Sequence, residues 1–399
     1  MHRGFARAAR EFRSAPLTTV AVIASMALGI AATTAVLSVG EAVLWRPLPY
    51  PESERLVVAT AELRNRNTRD LPLSGPDFLD LRAQTATTLD GWTAVLTTRT
   101  LLADSDGTLA QARIAVASPS VFRVLEKPIL LGRDFADADG TPLAPDATLS
   151  TPAVQRPSSA AILSHEYWLR RYGGKSDVLG QRLSTAAGPG ALIVGVLAPG
   201  VELVLPPQLA VERRPDVWVS ARIPYDTRQR AAFAYRVIGR LRPGVSLEQA
   251  RADVDSVASG LRRAFPLWQT SDFHLALEPL HRYVTAQIAP GLRLLIGAAI
   301  CLLLIACANV ANLLLVQAAS RQRELAVRSA LGASRTRLIQ DMLLQALLLT
   351  AVATALGGTG AWIGLRALLA IAPGNLPRID GATFNTVSAA CTIFLGVMT

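Results

Sequence analysis

The sequence predicts an α-helical membrane protein, with four transmembrane helices and a large α+β domain inserted after the first. Three observations lead there. Four long windows lose their charged residues while the rest of the chain keeps them. Arginines gather on one side of those windows. Residues 45–287, between the first two windows, alternate short strand and helix signals.

A bilayer-spanning helix needs ~20 mostly apolar residues. The first window lies between Arg13 and Glu41 and predicts a helix over 15–44. Arg3, Arg7, Arg10 and Arg13 precede it as in a signal peptide, but cleavable signals use only ~7–15 apolar residues. The window is therefore an uncleaved anchor. The second, between Arg293 and Arg321, predicts a helix over 288–320. The third, between Asp341 and Arg366, predicts one over 342–365. The fourth follows Asp380 and covers 381–399, a length that spans only if the helix begins almost at Gly381. These windows account for a mean hydropathy of +0.33 in a chain that is 18% charged.

Charge sets the topology. Arg321, Arg323, Arg328, Arg335 and Arg337 separate the second and third windows. Cytoplasmic loops carry such an excess. Residues 1–14 and 321–341 are thus placed in the cytoplasm, 45–287 outside, and 366–380 in a short outside loop. The expected location is an inner membrane, crossed several times, with the N-terminus inside. A net charge of +10 would also suit nucleic acid, but the arginines flank apolar spans and no aromatic–basic platform accompanies them. Cys301, Cys307 and Cys391 all lie in apolar windows, so the outside domain must hold together without disulfides.

Trp45-Arg46-Pro47-Leu48-Pro49-Tyr50-Pro51 ends the first helix, with aromatics suited to the interface. Strands are expected at Arg55–Leu63, Ala110–Ala117, Ala160–Leu163 and Ala191–Leu197, and helices at Pro76–Gln84 and His165–Tyr172. Ser118–Phe135 carries turns around a short helix. Ala138–Ser158 is an exposed loop rich in Pro, Thr, Ala and Asp. The clearest unit is last. Tyr235–Leu241 alternates as a strand, Ser246 and Gln249 make a capping box, and Leu247, Ala250, Val254, Val257, Leu261 and Phe265 recur at helical spacing. Phe273–Leu280 is a second strand. The whole is an α+β domain, arranged in two lobes.

No catalytic constellation emerges. Tyr172-Gly173-Gly174-Lys175-Ser176 resembles the tail of a phosphate loop, but Leu169 stands where the first glycine belongs, and the glycines follow a helix, which they cap. His165-Glu166 begins like a zinc-protease helix, yet the second histidine position is again Leu169. No Gly-x-Ser-x-Gly elbow is present. The expectation is a chain that is not an enzyme and carries no cofactor or metal.

Within the windows, Asn309 and Asn312 share one helix face, and interhelical hydrogen bonding is their expected role. Gly360 and Gly364 form a small-xxx-small pair, as do Ala27, Ala31 and Ala35. No ring or string of charge suggests a proton relay. Between the second and third windows, Arg321, Arg328 and Arg335 recur every seven residues beside an apolar side of Leu325, Ala326, Ala330 and Leu331. Gly332 breaks this helix. The residues alone leave two readings open: an interfacial helix under the headgroups, or a docking helix for a cytoplasmic partner.

Cys307-Ala308-Asn309-Val310-Ala311-Asn312-Leu313-Leu314, Arg323-Glu324-Leu325-Ala326-Val327-Arg328 and Ala330 to Arg335 resemble the membrane subunits of MacB/FtsX-type ABC transporters, most closely the acidobacterial-type duplicated orphan permeases. Leu48-Pro49-Tyr50-Pro51, Leu131-Gly132-Arg133-Asp134-Phe135, and Tyr167-Trp168 through Gly173-Gly174 are similar to that family's MacB-like periplasmic core domain. The resemblance implies four membrane helices, with 288–399 an FtsX-like permease domain. It implies a separate cytoplasmic ABC ATPase subunit, docked on a coupling loop that carries Arg321, Arg323, Glu324, Arg328, Leu331 and Gly332. It also implies a second permease half or a homodimer, and leaves room for a periplasmic adaptor. Gln345 stands where the family often has a glutamate. One copy of the duplicated arrangement is present, so the chain is expected to be half of such a permease, its fourth helix truncated.

The expected function is that of a permease subunit that transmits ATP-driven motion of its partner to the outside domain, for export, efflux or extraction of a substrate. The alternative is a non-transport scaffold or sensor that regulates an envelope enzyme.

Overall fold

The structure is a computed structural model and describes residues 16–103, 108–142, 159–185, 188–206, 209, 211–320, 335–371 and 386–398. The chain divides into two units, one of Met1–Arg46 with Thr285–Thr399, the other of Pro47–Val284. Helix α1 (Pro16–Gly40) opens on a proline whose missing N–H costs nothing in a first turn, and it runs on as a π-helical turn, Glu41–Trp45. Prolines 47, 49 and 51 then prevent further helix.

The second unit begins with β1 (Leu56–Leu63) and β2 (Thr68–Leu71), joined through Asn67 in the left-handed region at φ 48. Helix α2 (Gly75–Gln84) starts at Ser74, whose hydroxyl accepts from the Asp77 backbone N–H. Strands β3 (Leu89–Ala103) and β4 (Leu109–Ala117) form a long antiparallel hairpin. There follow α3 (Val121–Leu125), β5 (Ile129–Gly132), β6 (Ala160–Leu163) and α4 (His165–Tyr172). Gly173 and Gly174, both at positive φ, close α4 with backbone bonds to Leu169 and Trp168, as a C-cap requires. Next come β7 (Arg182–Thr185), β8 (Gly188–Leu197), β9 (Val217–Ser220) and β10 (Arg236–Leu241). The predicted capping box of Ser246 and Gln249 starts α5 (Leu247–Ala264), which is followed by α6 (Pro266–Ser271), β11 (Phe273–Pro279) and α7 (Leu280–Thr285).

Among the described residues these strands make one sheet, in the order β11-β1-β10-β3-β4-β9-β6-β8-β5, with β2 on β1 and β7 against β3 and β8. The first four in that order are β11, β1, β10 and β3, built as β1–α2–β3 and β10–α5–β11. That is a split βαβ arrangement of the ferredoxin-like kind, with everything from β4 to β9 inserted between its halves. Both crossover helices lie on one face. Phe78 and Leu81 of α2, and Ala250, Val254, Val257 and Leu261 of α5, are buried with Val57, Ala59, Ala61, Trp92 and Leu277. Leu56, Val58, Val95 and Ile238 point to the other face, where Phe122, Phe135 and Trp218 complete a second cluster. Strand β1 is thus buried on both sides, which explains the apolar run Leu56–Ala59 at its start. The expected two lobes are instead parts of this continuous sheet. The predicted loop Ala138–Ser158 lies largely outside the described residues.

The first unit is completed by α8 (Ala289–Ser320), α9 (Arg335–Ile371) and α10 (Thr386–Met398). Among the described residues three helices are long and apolar enough to cross a membrane: Thr19–Trp45, Ala289–Asn312 and Leu347–Ala367. The expected fourth span is represented by α10, whose 13 residues rise ~20 Å against a hydrocarbon core of ~30 Å.

Candidate functional site

Two chain links join the membrane helices to the α+β unit, and the sheet register puts them side by side. Val57 of β1 faces Pro279 of β11 in an antiparallel pair. The incoming segment 47–55 and the outgoing helix α7 therefore meet the sheet at the same end of adjacent strands. Leu48 and Tyr50 from the incoming link, and Leu280 and Val284 from the outgoing one, are buried in one apolar cluster.

Polar groups fasten both links. Arg240 of β10 is 2% exposed. Its Nε donates to the Val124 carbonyl at 2.7 Å, and Nη1 and Nη2 each donate to the Pro51 carbonyl at 3.2 Å. Burial pulls this guanidinium below its usual pKa, against the attraction of the Glu126 carboxylate 3.4 Å away. The Tyr50 hydroxyl donates to the Glu202 carbonyl at 2.8 Å and accepts from the Val204 N–H at 2.9 Å. Burial pushes that phenol well above its ordinary pKa. The Lys127 ammonium lies 5.1 Å from the Tyr50 ring centroid and also donates to the Pro49 carbonyl. On the outgoing side, the Tyr283 hydroxyl donates to Asp70 Oδ1 at 2.5 Å, and Arg236 Nη1 reaches the Asp70 carbonyl at 3.0 Å. Sequence periodicity could not find Arg240, because an arginine inside a strand normally marks the solvent face.

A second buried charge group ties the segment after β9 to α2. Arg230 Nη1 meets Asp77 Oδ1 at 2.5 Å, and its Nη2 meets Asp80 Oδ2 at 2.6 Å. Ser74 and Trp268 Nε1 also donate to Asp77. Among the described residues no group of three His, Cys, Asp or Glu side chains converges to hold a metal.

In the membrane unit, hydroxyls make interhelical bonds among the described residues. Thr33 Oγ1 of α1 donates to the Ala299 carbonyl of α8 at 3.1 Å. Ser38 Oγ of α1 donates to Ser388 Oγ of α10 at 2.8 Å, and Thr392 Oγ1 of α10 to Thr34 Oγ1 at 3.3 Å. Asn309 and Asn312 are exposed on α8, away from these contacts. Small residues allow the close approaches. A Cβ on Gly357 would lie 2.8 Å from Ile30 Cγ2, and one on Gly360 would lie 3.2 Å from the Ala31 Cβ. Gly364 faces open space. The hydroxyl set has no sequence signature, since Thr and Ser on a spanning helix more often bond their own preceding turn. Arg321, Arg323, Glu324, Arg328, Leu331 and Gly332 lie outside the described residues.

Two family models match the chain. The MacB-like periplasmic core domain model matches residues 19–257, and the FtsX-like permease C-terminal model matches residues 296–399. The periplasmic region of MacB from Actinobacillus actinomycetemcomitans is 12% identical, with 59% of this chain and 94% of that one covered at a TM-score of 0.38. The extracellular domain of the noncanonic ABC-type transporter YknZ from Gram-positive bacteria is 14% identical, with 55% and 99% covered at a TM-score of 0.35. No curated protein matches the chain. With one model covering more than half of its residues and the second covering its C-terminal helices, the chain belongs to the MacB/FtsX-like permease family.

Proposed function

We propose that this membrane protein is the non-catalytic permease subunit of an ATP-driven system, transmitting the motion of a cytoplasmic ATPase to its periplasmic core domain for export or extraction of a substrate. The observation that carries the reading is the pair of links. Segment 47–55 and α7 meet adjacent strand ends, share one apolar cluster, and are pinned by Tyr50, Arg240 and Tyr283. Links held in this way deliver a helix displacement to β1 and β11 together, because close-packed interiors transmit strain. In this reading the N-terminus is cytoplasmic in an inner membrane, and residues 321–334 dock the ATPase through Arg321, Arg323, Glu324, Arg328, Leu331 and Gly332.

The exposed Asn309 and Asn312 support assembly with a second permease half or a second copy. An amide facing lipid forfeits hydrogen bonds that a neighbouring helix would supply. The test is co-purification of the intact protein from its native membrane, with crosslinking cysteines at Arg323 and Arg328. Capture of an ABC ATPase, abolished by Gly332→Pro, is the expected result. Folded protein that captures no ATPase would reduce 321–334 to an interfacial helix and remove the transport reading.

A further inference from the structure

The α+β unit contains an open cleft of about 810 Å³ that the links and the membrane helices do not explain. That volume lies within the ~300–1,000 Å³ typical of small-molecule sites. Four guanidinium groups line it, from Arg82, Arg123, Arg240 and Arg242, against the two carboxylates of Asp90 and Asp137. Two of the four are spoken for. Arg123 Nη2 pairs with Asp137 Oδ1 at 2.5 Å, and Arg240 is committed to backbone carbonyls. The other two are not. Arg242 donates Nε to the Ala86 carbonyl at 3.1 Å and has no acceptor for its Nη nitrogens among the described residues. Arg82 touches only the Phe78 ring and has no acceptor at all among them. Asp90 does not neutralise either, since its carboxylate faces Arg55 Nη2 at 3.7 Å.

Ser120 and Thr141 add hydroxyls to the lining, and the remainder is apolar or glycine. Leu89, Trp92, Pro119 and Val124 contribute to it, and Trp92 is 2% exposed, so its ring is fixed in place. Two glycines of the lining pack closely against its other residues. A side chain on Gly140 would collide with Pro119, and one on Gly91 would come 3.2 Å from Val124 Cγ2. Solvated arginines are common on protein surfaces, but here two guanidinium forks without a carboxylate partner line one cleft. Such forks match carboxylate and phosphate oxygens bidentately.

We propose that this cleft binds the carboxylate or phosphate group of an anionic ligand through Arg82 and Arg242. The proposal does not depend on ATP-driven transport. It fits a phosphorylated amphiphile and an acidic polypeptide segment through the same chemistry.

The test uses the full-length protein in phosphatidylcholine nanodiscs, titrated by calorimetry with phenyl phosphate and with an acetylated Glu-Leu-Glu tripeptide. At least one probe should bind, and Arg82→Ala with Arg242→Ala should weaken it by about tenfold or more. Arg64→Ala with Arg66→Ala removes the same charge outside the cleft and should change affinity by less than about twofold, because exposed charges beyond a Debye length are screened. Preference for phenyl phosphate would identify a phosphate source, and preference for the tripeptide an acidic polypeptide. Binding of neither probe, or equal loss in both double variants, would overturn the proposal.

Discussion

Arg230 and Asp77 are 3% and 0% exposed at the side chain, so neither has water to fall back on. Arg230→Ala would leave the Asp77 carboxylate buried without its countercharge, at a cost of about 3–5 kcal/mol. The full-length variant should lose thermal stability and expose α2 to proteolysis, while Arg228→Ala at the surface should do neither. Asp216 gives a pH signature. Burial raises its carboxyl, but bonds from the Arg113 side chain and backbone and from Arg170 outweigh that, and the group sits below the ordinary range. A depressed folded pKa stabilises above the unfolded value of about 3.9, and that contribution is lost as pH falls through the folded pKa. Protection factors in β4 and β9, with the intrinsic exchange rate divided out, should therefore fall below about pH 4 in the wild type. In Asp216→Asn the same segments should already be less protected near neutral pH and lose little more on acidification. These residues were hidden in the sequence for a simple reason. Asp77, Asp216, Arg230 and Arg240 look like ordinary surface charges until long-range pairing buries them. Asn309 and Asn312 stand out as polar residues in an apolar window, while the bonds that Thr33, Ser38 and Thr392 make between helices among the described residues have no such local signal.

Local rules located the elements whose signals are local. Ser246 with Gln249, the spacing from Leu247 to Leu261, and the glycine pair after Tyr172 each specify a boundary within a few residues, and each boundary stands where expected. Strand β3 escaped, because Leu89–Ala103 mixes Thr, Arg and Asp with apolar residues. It gains its regularity from pairing with β10 and β4. Strand β5 occupies residues that read as a turn, since Gly132 at φ 81 dominates the local pattern. Gly357→Leu would drive a side chain into Ile30 and toward the Ala27 carbonyl, which sits 3.1 Å from an added Cβ on the backbone of α1. Overpacking of that kind costs about 1–3 kcal/mol. Purified Gly357→Leu should melt earlier in detergent, whereas Gly364→Leu, directed into open space, should melt as the wild type does.

For the whole chain, arginine asymmetry and charge-free windows made the membrane class legible, because lipid imposes its constraints on composition directly. The meeting of both links at one sheet end was not legible. It follows from β11 returning beside β1 across more than 200 residues, a pairing that no local signal announces. Those links carry the proposed coupling. The most direct test is hydrogen exchange of segments 47–56 and 279–285 in the full-length protein assembled with its captured ATPase, compared between the nucleotide-free and the ATP–vanadate states. The account predicts that protection changes in both segments together, and that Tyr50→Phe with Tyr283→Phe uncouples the change from ATP turnover. Unchanged protection in both segments while ATP is hydrolysed would contradict it.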